Sequence, residues 1–154
     1  MRLNSRLSDI LHVLLHMAEH DGPVTSEMLA KAMGTNPAVI RRIMAALIEP
    51  GYVRSEKGHG GGWTLARDLE AISLRDIHDA LGPSSIFAIG NRSEAPKCLV
   101  EQAVNTAVSQ AMREAEELLL TRFAQVTLAS LRVDIHRRLK HKRGSLDLEA
   151  MHAS

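Results

Sequence analysis

Apolar residues recur at helical spacing along most of the chain, with polar residues on the opposite sides. Two short stretches instead have the composition of strands, and a cluster of glycines separates them. The helical stretches are residues 3 to 20, 26 to 33, 37 to 49, 74 to 81, 98 to 126 and 127 to 139, and the strand stretches are residues 52 to 56 and 63 to 67. We therefore predict a mainly α fold with one small β-hairpin.

The second and third predicted helices are joined by a tight turn. Thr25 suits the N-cap of the second helix, because a side-chain oxygen there accepts a hydrogen bond from a free amide of the first turn. Gly34 ends that helix. Asn36 and Pro37 begin the third, since asparagine caps a helix well and proline fits the first helical position. This arrangement predicts a helix-turn-helix.

The glycine cluster lies between the two strand patterns, directly after the helix-turn-helix. Four of the six residues from 57 to 62 are glycine, which allows positive φ angles and a close approach to another surface. A hairpin in this position is a wing. Residues 1 to 83 are therefore predicted to form a winged helix-turn-helix domain.

Basic residues mark the third helix and the hairpin. Residues 36 to 67 contain five Lys or Arg against two acids, a pattern that favours a helix in a major groove and a wing on phosphates or in the minor groove. The alternative is a solvated face in a domain that binds only protein. The candidate DNA contacts are Asn36, Ala38, Val39, Arg41 and Arg42 in the major groove, Lys57, Gly58, His59 and Gly60 at the wing tip, and Arg2, Arg6, Arg54 and Arg67 on phosphates.

Composition narrows the class of protein. The chain has 154 residues and a net charge of +1, so affinity for DNA must come from local patches rather than a global field. It has no run of about 18 apolar residues and no signal-like start, which favours a cytoplasmic protein without a membrane span. No catalytic spacing stands out, and the glycine cluster joins two strands rather than opening a helix, so we expect no enzyme.

The segments after the wing predict a second function, pairing of two chains. Residues 84 to 97 are expected to be a linker or sensing loop, and residues 98 to 126 a dimerisation helix, because their apolar seam is too long for one small domain to cover. The alternative is a helix that packs back on its own domain. A basic helix over residues 127 to 143 is expected to serve solubility, and residues 144 to 154 are expected to be disordered.

Four stretches resemble the Rrf2 family of bacterial transcription regulators: the wing segment VRSEKGHGGGWTL, the preceding helix, the opening MRLNSR and the later ISLRDI. The resemblance implies a homodimer that binds a double-stranded DNA operator. We therefore expect a sequence-specific transcription regulator, acting as a repressor. The rivals are a winged-helix module that binds only protein and a metal- or cluster-dependent sensor.

Members of that family that carry an iron–sulphur cluster have three cysteines in the loop before the long helix, with five residues between neighbours. Cys98 resembles the last of the three, and counting back by that spacing reaches Arg92 and Ile86, which cannot ligate iron. The usual cluster site is therefore missing, and no cofactor is expected.

Three interpretations of Cys98 remain open. It is a relic or an ordinary buried cysteine at a helix start, or a redox-active thiol whose pKa the helix N-terminus and Lys97 lower. The third is a ligand that joins Asp9 or His12 of the other subunit in a shared metal site. Histidines recur at every fourth position of the first helix, and we interpret them as a solvated polar face rather than a metal site.

Overall fold

This computed structural model describes residues 5–82 and 97–152, and the side chains of residues 6–82 and 97–143. The elements in chain order are α1 (Ser5–Ala18), α2 (Ser26–Met33), α3 (Pro37–Ile48), β1 (Val53–Glu56), β2 (Gly62–Leu65), a 3₁₀ turn (Leu69–Ala71), α4 (Leu74–Ala80), α5 (Leu99–Gln125) and α6 (Leu128–His152). The predicted fold class is confirmed: the chain is mainly helical, with an antiparallel hairpin after the helix-turn-helix.

Local capping explains where three of the helices begin. The Thr25 hydroxyl accepts a hydrogen bond from the backbone N–H of Met28 at 3.2 Å, and Asn36 Oδ1 accepts one from the N–H of Val39 at 3.1 Å. Ser73 and Asp76 form a reciprocal capping box at the start of α4. These contacts confirm the predicted starts of α2, α3 and α4.

The core is aliphatic and lies between α1, α3 and the elements that follow them. The helices α1 and α3 bury one stripe each, and Ile77 of α4 closes the cluster. Leu128, the first residue of α6, is fully buried although it belongs to the C-terminal part of the chain. The buried residues of the two stripes are Ile10, Val13, Leu14 and Met17 in α1, and Ile40, Met44 and Leu47 in α3.

The junction between α5 and α6 is tied to the start of α4. Ser73 and Thr127 form an antiparallel bridge, with Leu74 N–H donating to Val126 O and Leu128 N–H donating to Ile72 O, both at 2.9 Å. Arg132 Nε also donates to Glu19 Oε1 at 2.7 Å, which fastens α6 to the end of α1. One end of the long helix is thus anchored on the winged-helix domain.

The rest of α5 lies away from that domain. None of its residues is buried, and Val100, Val104 and Leu118 are 72%, 53% and 73% exposed. Near its C-terminal end the ring of Phe123 contacts the ring of His78 in α4, with centroids 6.4 Å apart. The alternative of a long helix that packs back along its own domain is therefore not what this chain adopts.

The C-terminal prediction was wrong in its extent. We expected a helix over residues 127 to 143 and disorder from residue 144, but α6 continues to His152. Leucine, glutamate, alanine and methionine predominate between residues 146 and 151, and all four favour helix. A single glycine inside a helix costs only about 1 kcal/mol, which does not end a helix that is already formed.

No described helix combines the length and apolarity needed to cross a bilayer.

The second strand also begins and ends earlier than predicted, at Gly62 and Leu65 rather than at residues 63 and 67. Its register pairs Val53 with Leu65 and Glu56 with Gly62.

Two glycines of the cluster are required by backbone packing. A Cβ on Gly61 would overlap the carbonyl oxygen of Glu56, and one on Gly62 would lie 2.6 Å from the carbonyl oxygen of Val24.

Substitution of Gly62 should therefore destabilise the fold more than substitution at the hairpin tip. Gly62→Ala should lower the free energy of unfolding by about 2 kcal/mol or more, because steric overlap adds to an unfavourable φ of +152°. Gly60→Ala is the matched control, since Gly60 has φ +76° with open space around it, and should cost about 1 kcal/mol. Urea unfolding followed by circular dichroism measures both; equal losses would contradict the packing argument.

Candidate nucleic-acid interface

The wing is fixed to the helix-turn-helix through Trp63. Its indole Nε1 donates a hydrogen bond to Ser26 Oγ at 2.9 Å. Its backbone exchanges two hydrogen bonds with Val24, at 2.8 and 3.0 Å. The hairpin therefore holds a set position relative to the start of α2. The sequence predicted Trp63 only as a strand residue, because no local pattern indicates a partner 37 positions away.

The outer face of α3 carries the residues predicted for the major groove. Ala38, Arg41 and Arg42 are exposed, while Val39 is half-buried. Asn36 is exposed too, but its side-chain oxygen caps the helix, so its NH₂ group is the part left for a partner. The predicted set therefore shares one face of the helix.

The two arginines of α3 have different surroundings. Arg41 Nη2 lies 3.0 Å from Glu27 Oε1 on α2. For Arg42, no ion pair forms within the part of the chain that the structure describes. It instead borders a hollow of about 270 Å³ between α1 and α3, together with Arg6 and Asp9. Arg42 and Arg6 thus present their charges to solvent on adjoining helices.

The wing tip is a tight glycine turn that exposes its side chains. Gly58 and Gly60 have φ values of +98° and +76°, and Gly61 N–H donates to Gly58 O at 3.1 Å. Lys57 and His59 are exposed on this turn, and Arg54 on β1 lies 3.7 Å from Glu56. The predicted wing residues therefore form one basic projection.

Two predicted phosphate contacts need separate mention. Arg67 Nη2 donates to the carbonyl oxygen of Pro50 at 2.9 Å, and its guanidinium lies 4.8 Å from the centre of the Tyr52 ring. Arg67 thus joins the end of the hairpin to the loop after α3, and its predicted contact with a phosphate stays a prediction. Arg2 lies outside the described residues.

The first two histidines on the polar face of α1 lie one helical turn apart, with their rings in contact. His12 and His16 have their Nε2 atoms 3.0 Å apart and their ring centroids 4.7 Å apart. The pKa of His16 is lowered, mainly because the side chain is partly buried and secondly because of the charge of His12. Asp9 lines the hollow beside Arg42 rather than this pair. The interpretation of these histidines as a solvated face stays a prediction.

Cys98 is exposed, so the interpretation of a buried cysteine at a helix start was wrong. It occupies the N-cap position of α5. The structure shows no side-chain capping hydrogen bond at Cys98, but the nearby backbone N–H groups of Glu101 and then of Val100 lower the pKa of its thiol, because they favour the thiolate. An exposed thiol of this kind matches the redox interpretation chemically.

Comparison with known proteins gives relatives over most of the chain. The model of the Rrf2 family, described as an iron-dependent transcriptional regulator, matches residues 3–134. YwnA of Bacillus subtilis (strain 168), named as an HTH-type transcriptional regulator, is 28% identical over 127 residues, 82% of this chain and 93% of that protein. The HTH-type transcriptional regulator IscR of Yersinia pseudotuberculosis is 26% identical over 137 residues, 85% of this chain and 79% of that protein.

Solved structures give the same fold. A transcriptional regulator from Lactobacillus plantarum superposes with a TM-score of 0.71 at 26% identity, over 91% of this chain and 97% of that one. The oxidised form of CymR from Staphylococcus aureus has a TM-score of 0.65 at 21% identity, over 86% and 96% of the two chains. The second likeness bears on the fold alone.

The description of the matched family raises the question of iron. The chain has a single cysteine. Across the described side chains, no three His, Cys, Asp or Glu residues come together as a metal-binding group. These residues therefore do not fit an iron–sulphur cluster held by one chain. A site shared by Cys98 of one chain and Asp9 or His12 of another stays a prediction.

The lowered pKa of Cys98 predicts early reactivity with alkylating agents. The thiolate is the nucleophile, so the rate of alkylation by iodoacetamide should reach half its maximum at a lower pH in the folded protein than in the unfolded chain. The rate is measured against pH by mass spectrometry of the intact protein. The same profile in urea, where the helix start is lost, is the control and should shift upward. A native midpoint at or above the unfolded one would contradict the geometry.

Proposed function

Because this chain belongs to the Rrf2 family of transcription regulators, we propose that it acts as a homodimer on a specific, two-fold related DNA operator and represses transcription there. Family and relatives make it a DNA-binding transcription regulator and not an enzyme. Its place of action would be the bacterial cytoplasm, where the operator lies. A dimer seated on a promoter represses by occupying DNA that the polymerase needs.

The observation that carries the proposal is that α3 has one buried apolar face and one exposed basic face. Its inner face fills the core with Ile40, Met44 and Leu47, while Arg41 and Arg42 are exposed on the outer face. A helix of this kind fits a major groove, where arginine reads guanine through paired hydrogen bonds. The N-terminal end of the same helix would lie in the groove as well, with Asn36, Ala38 and Val39.

The wing would contact the DNA backbone beside that groove. Trp63 attaches the hairpin to the start of α2, which packs against α3 in the helix-turn-helix. Lys57 and His59 project from the tip, where Gly58 and Gly60 let the backbone approach closely. Contacts of this kind position a protein on DNA without reading its sequence. Arg6 and Arg54 are the proposed flanking phosphate contacts.

The proposed dimer rests on the exposed apolar side of α5. Val100, Val104 and Val108 follow one another at four-residue spacing, and Leu118 continues the same side further along the helix. An apolar side of this length is costly in water and is typical of an interface. Two chains paired along it would place two α3 helices on successive major grooves.

We extend the proposal to a response to oxidants through Cys98. The thiol is exposed and its pKa is lowered, and it lies at the start of the proposed dimer helix. Oxidation there would add a polar or charged group at the end of the interface. The reactivity predicted for this thiol is the condition for such a role.

Substitutions on α3 and on the wing should affect DNA binding differently. Arg42→Ala should relax the preference for the operator over random DNA, with a loss of about 1–3 kcal/mol on the operator, because a base contact is removed. Lys57→Ala should weaken binding to both DNAs about equally and reduce the salt slope by about 1. Fluorescence anisotropy against salt measures both. Equal losses on operator and random DNA for both variants would contradict the division of roles.

A charge on the exposed apolar side of α5 should separate the subunits. Val104→Lys should give a monomer in analytical ultracentrifugation, since an ammonium buried in the interface has no partner. It should also weaken operator binding by about tenfold or more, because each chain then binds one half-site alone. Thr106→Lys places the same charge on the opposite side of the helix and is the control. A dimeric Val104→Lys variant would contradict this interface.

A further inference from the structure

Glu27 is an exposed acid that pairs with Arg41, one of the proposed DNA contacts on α3. Its Oε1 lies 3.0 Å from Nη2 of Arg41, and the two side chains are 64% and 58% exposed. Ion pairs this exposed contribute little to stability. The pair therefore needs an explanation other than fold stability.

The position of Glu27 is fixed from both sides. It is the second residue of α2, where a negative charge is favoured by the helix N-terminus. Thr25 caps that helix, and Ser26 accepts the hydrogen bond from the Trp63 indole. The N-cap and the contact with the wing therefore both hold the start of α2, from which Glu27 contacts Arg41.

A carboxylate in this place changes what Arg41 can do. One N–H group of the guanidinium is bound to Glu27, which leaves its other donors for an outside partner. A DNA phosphate that approached Arg41 would also approach the negative charge of Glu27 and be repelled. A guanine edge has only partial negative charge on its O6 and N7 acceptors and is repelled less. Arg42, on the same face, has no ion pair among the described residues.

We propose that Glu27 is a specificity-determining residue, which holds Arg41 for base edges in the major groove and opposes its use on phosphates. This inference rests on the proposed function, because it assumes that α3 enters the groove. It assigns unequal roles to two adjacent arginines. Arg41 serves only to discriminate between base sequences, whereas Arg42 can read a base and also add affinity for any DNA.

Removal of the charge should have a defined effect. Glu27→Gln keeps the size of the side chain and an oxygen acceptor but no longer repels phosphate. Affinity for random DNA should rise roughly two- to fivefold at about 0.15 M salt. The salt slope should become steeper by up to about 0.9, as expected for one added phosphate contact. Preference at the base pairs read by Arg41 should fall.

The test is a selection from a random-sequence DNA library with the full-length protein. The variants are wild type, Arg41→Ala, Glu27→Gln, the double variant and Glu56→Gln. The last is the matched control, because Glu56 lies on the wing beside Arg54 and does not contact Arg41. Circular dichroism melting verifies that all variants fold, which the exposure of both acids favours.

The expected result is that Glu27→Gln loses base preference at the positions where Arg41→Ala loses it. It should have little further effect on preference in the Arg41→Ala background, while Glu56→Gln leaves base preference unchanged. If the Glu27→Gln variant kept the base preference of the wild type, the role of Glu27 would be overturned and the proposed function would stay intact. A wild-type protein that enriches no sequence would overturn the proposed function and this inference together.

Discussion

The contact between Trp63 and the start of α2 is the interaction on which the proposed DNA-binding surface depends. A hairpin of two four-residue strands has little stability alone. Here its second strand is bound to Val24 through the backbone and to Ser26 through the indole. The approach is close enough that a Cβ at Gly62 would overlap Val24. The wing is thereby attached to the helix-turn-helix, and the two together form the proposed DNA-binding surface.

A second junction connects that surface to the long helix. The bridge between Ser73 and Thr127, with the buried Leu128 beside it, fixes the turn between α5 and α6 on the winged-helix domain. The opposite end of α5 begins at Cys98, where the thiol is exposed. The proposed pairing of two chains along α5 would therefore involve a helix that is attached directly to the winged-helix domain.

The sequence predicted the features that depend on neighbouring residues. Thr25, Asn36 and Ser73 cap helices as expected, because capping is decided within one turn. Contacts between distant residues could not be read from it. Arg41 and Arg42 look equivalent in sequence, yet Glu27, fourteen positions away, reaches only the first. One of the interpretations of Cys98 was a buried cysteine, but whether a helix start lies against the core depends on the whole fold.

The central claim, that two copies of α3 and the wing read a two-fold related operator, is tested most directly by a hydroxyl-radical footprint. The DNA would be the site that wild-type protein selects from a random library. The account predicts two protected segments on each strand, related by two-fold symmetry, with centres one helical turn of about 10 base pairs or a multiple apart. One protected segment, or protection that is equal on unrelated DNA, would contradict it.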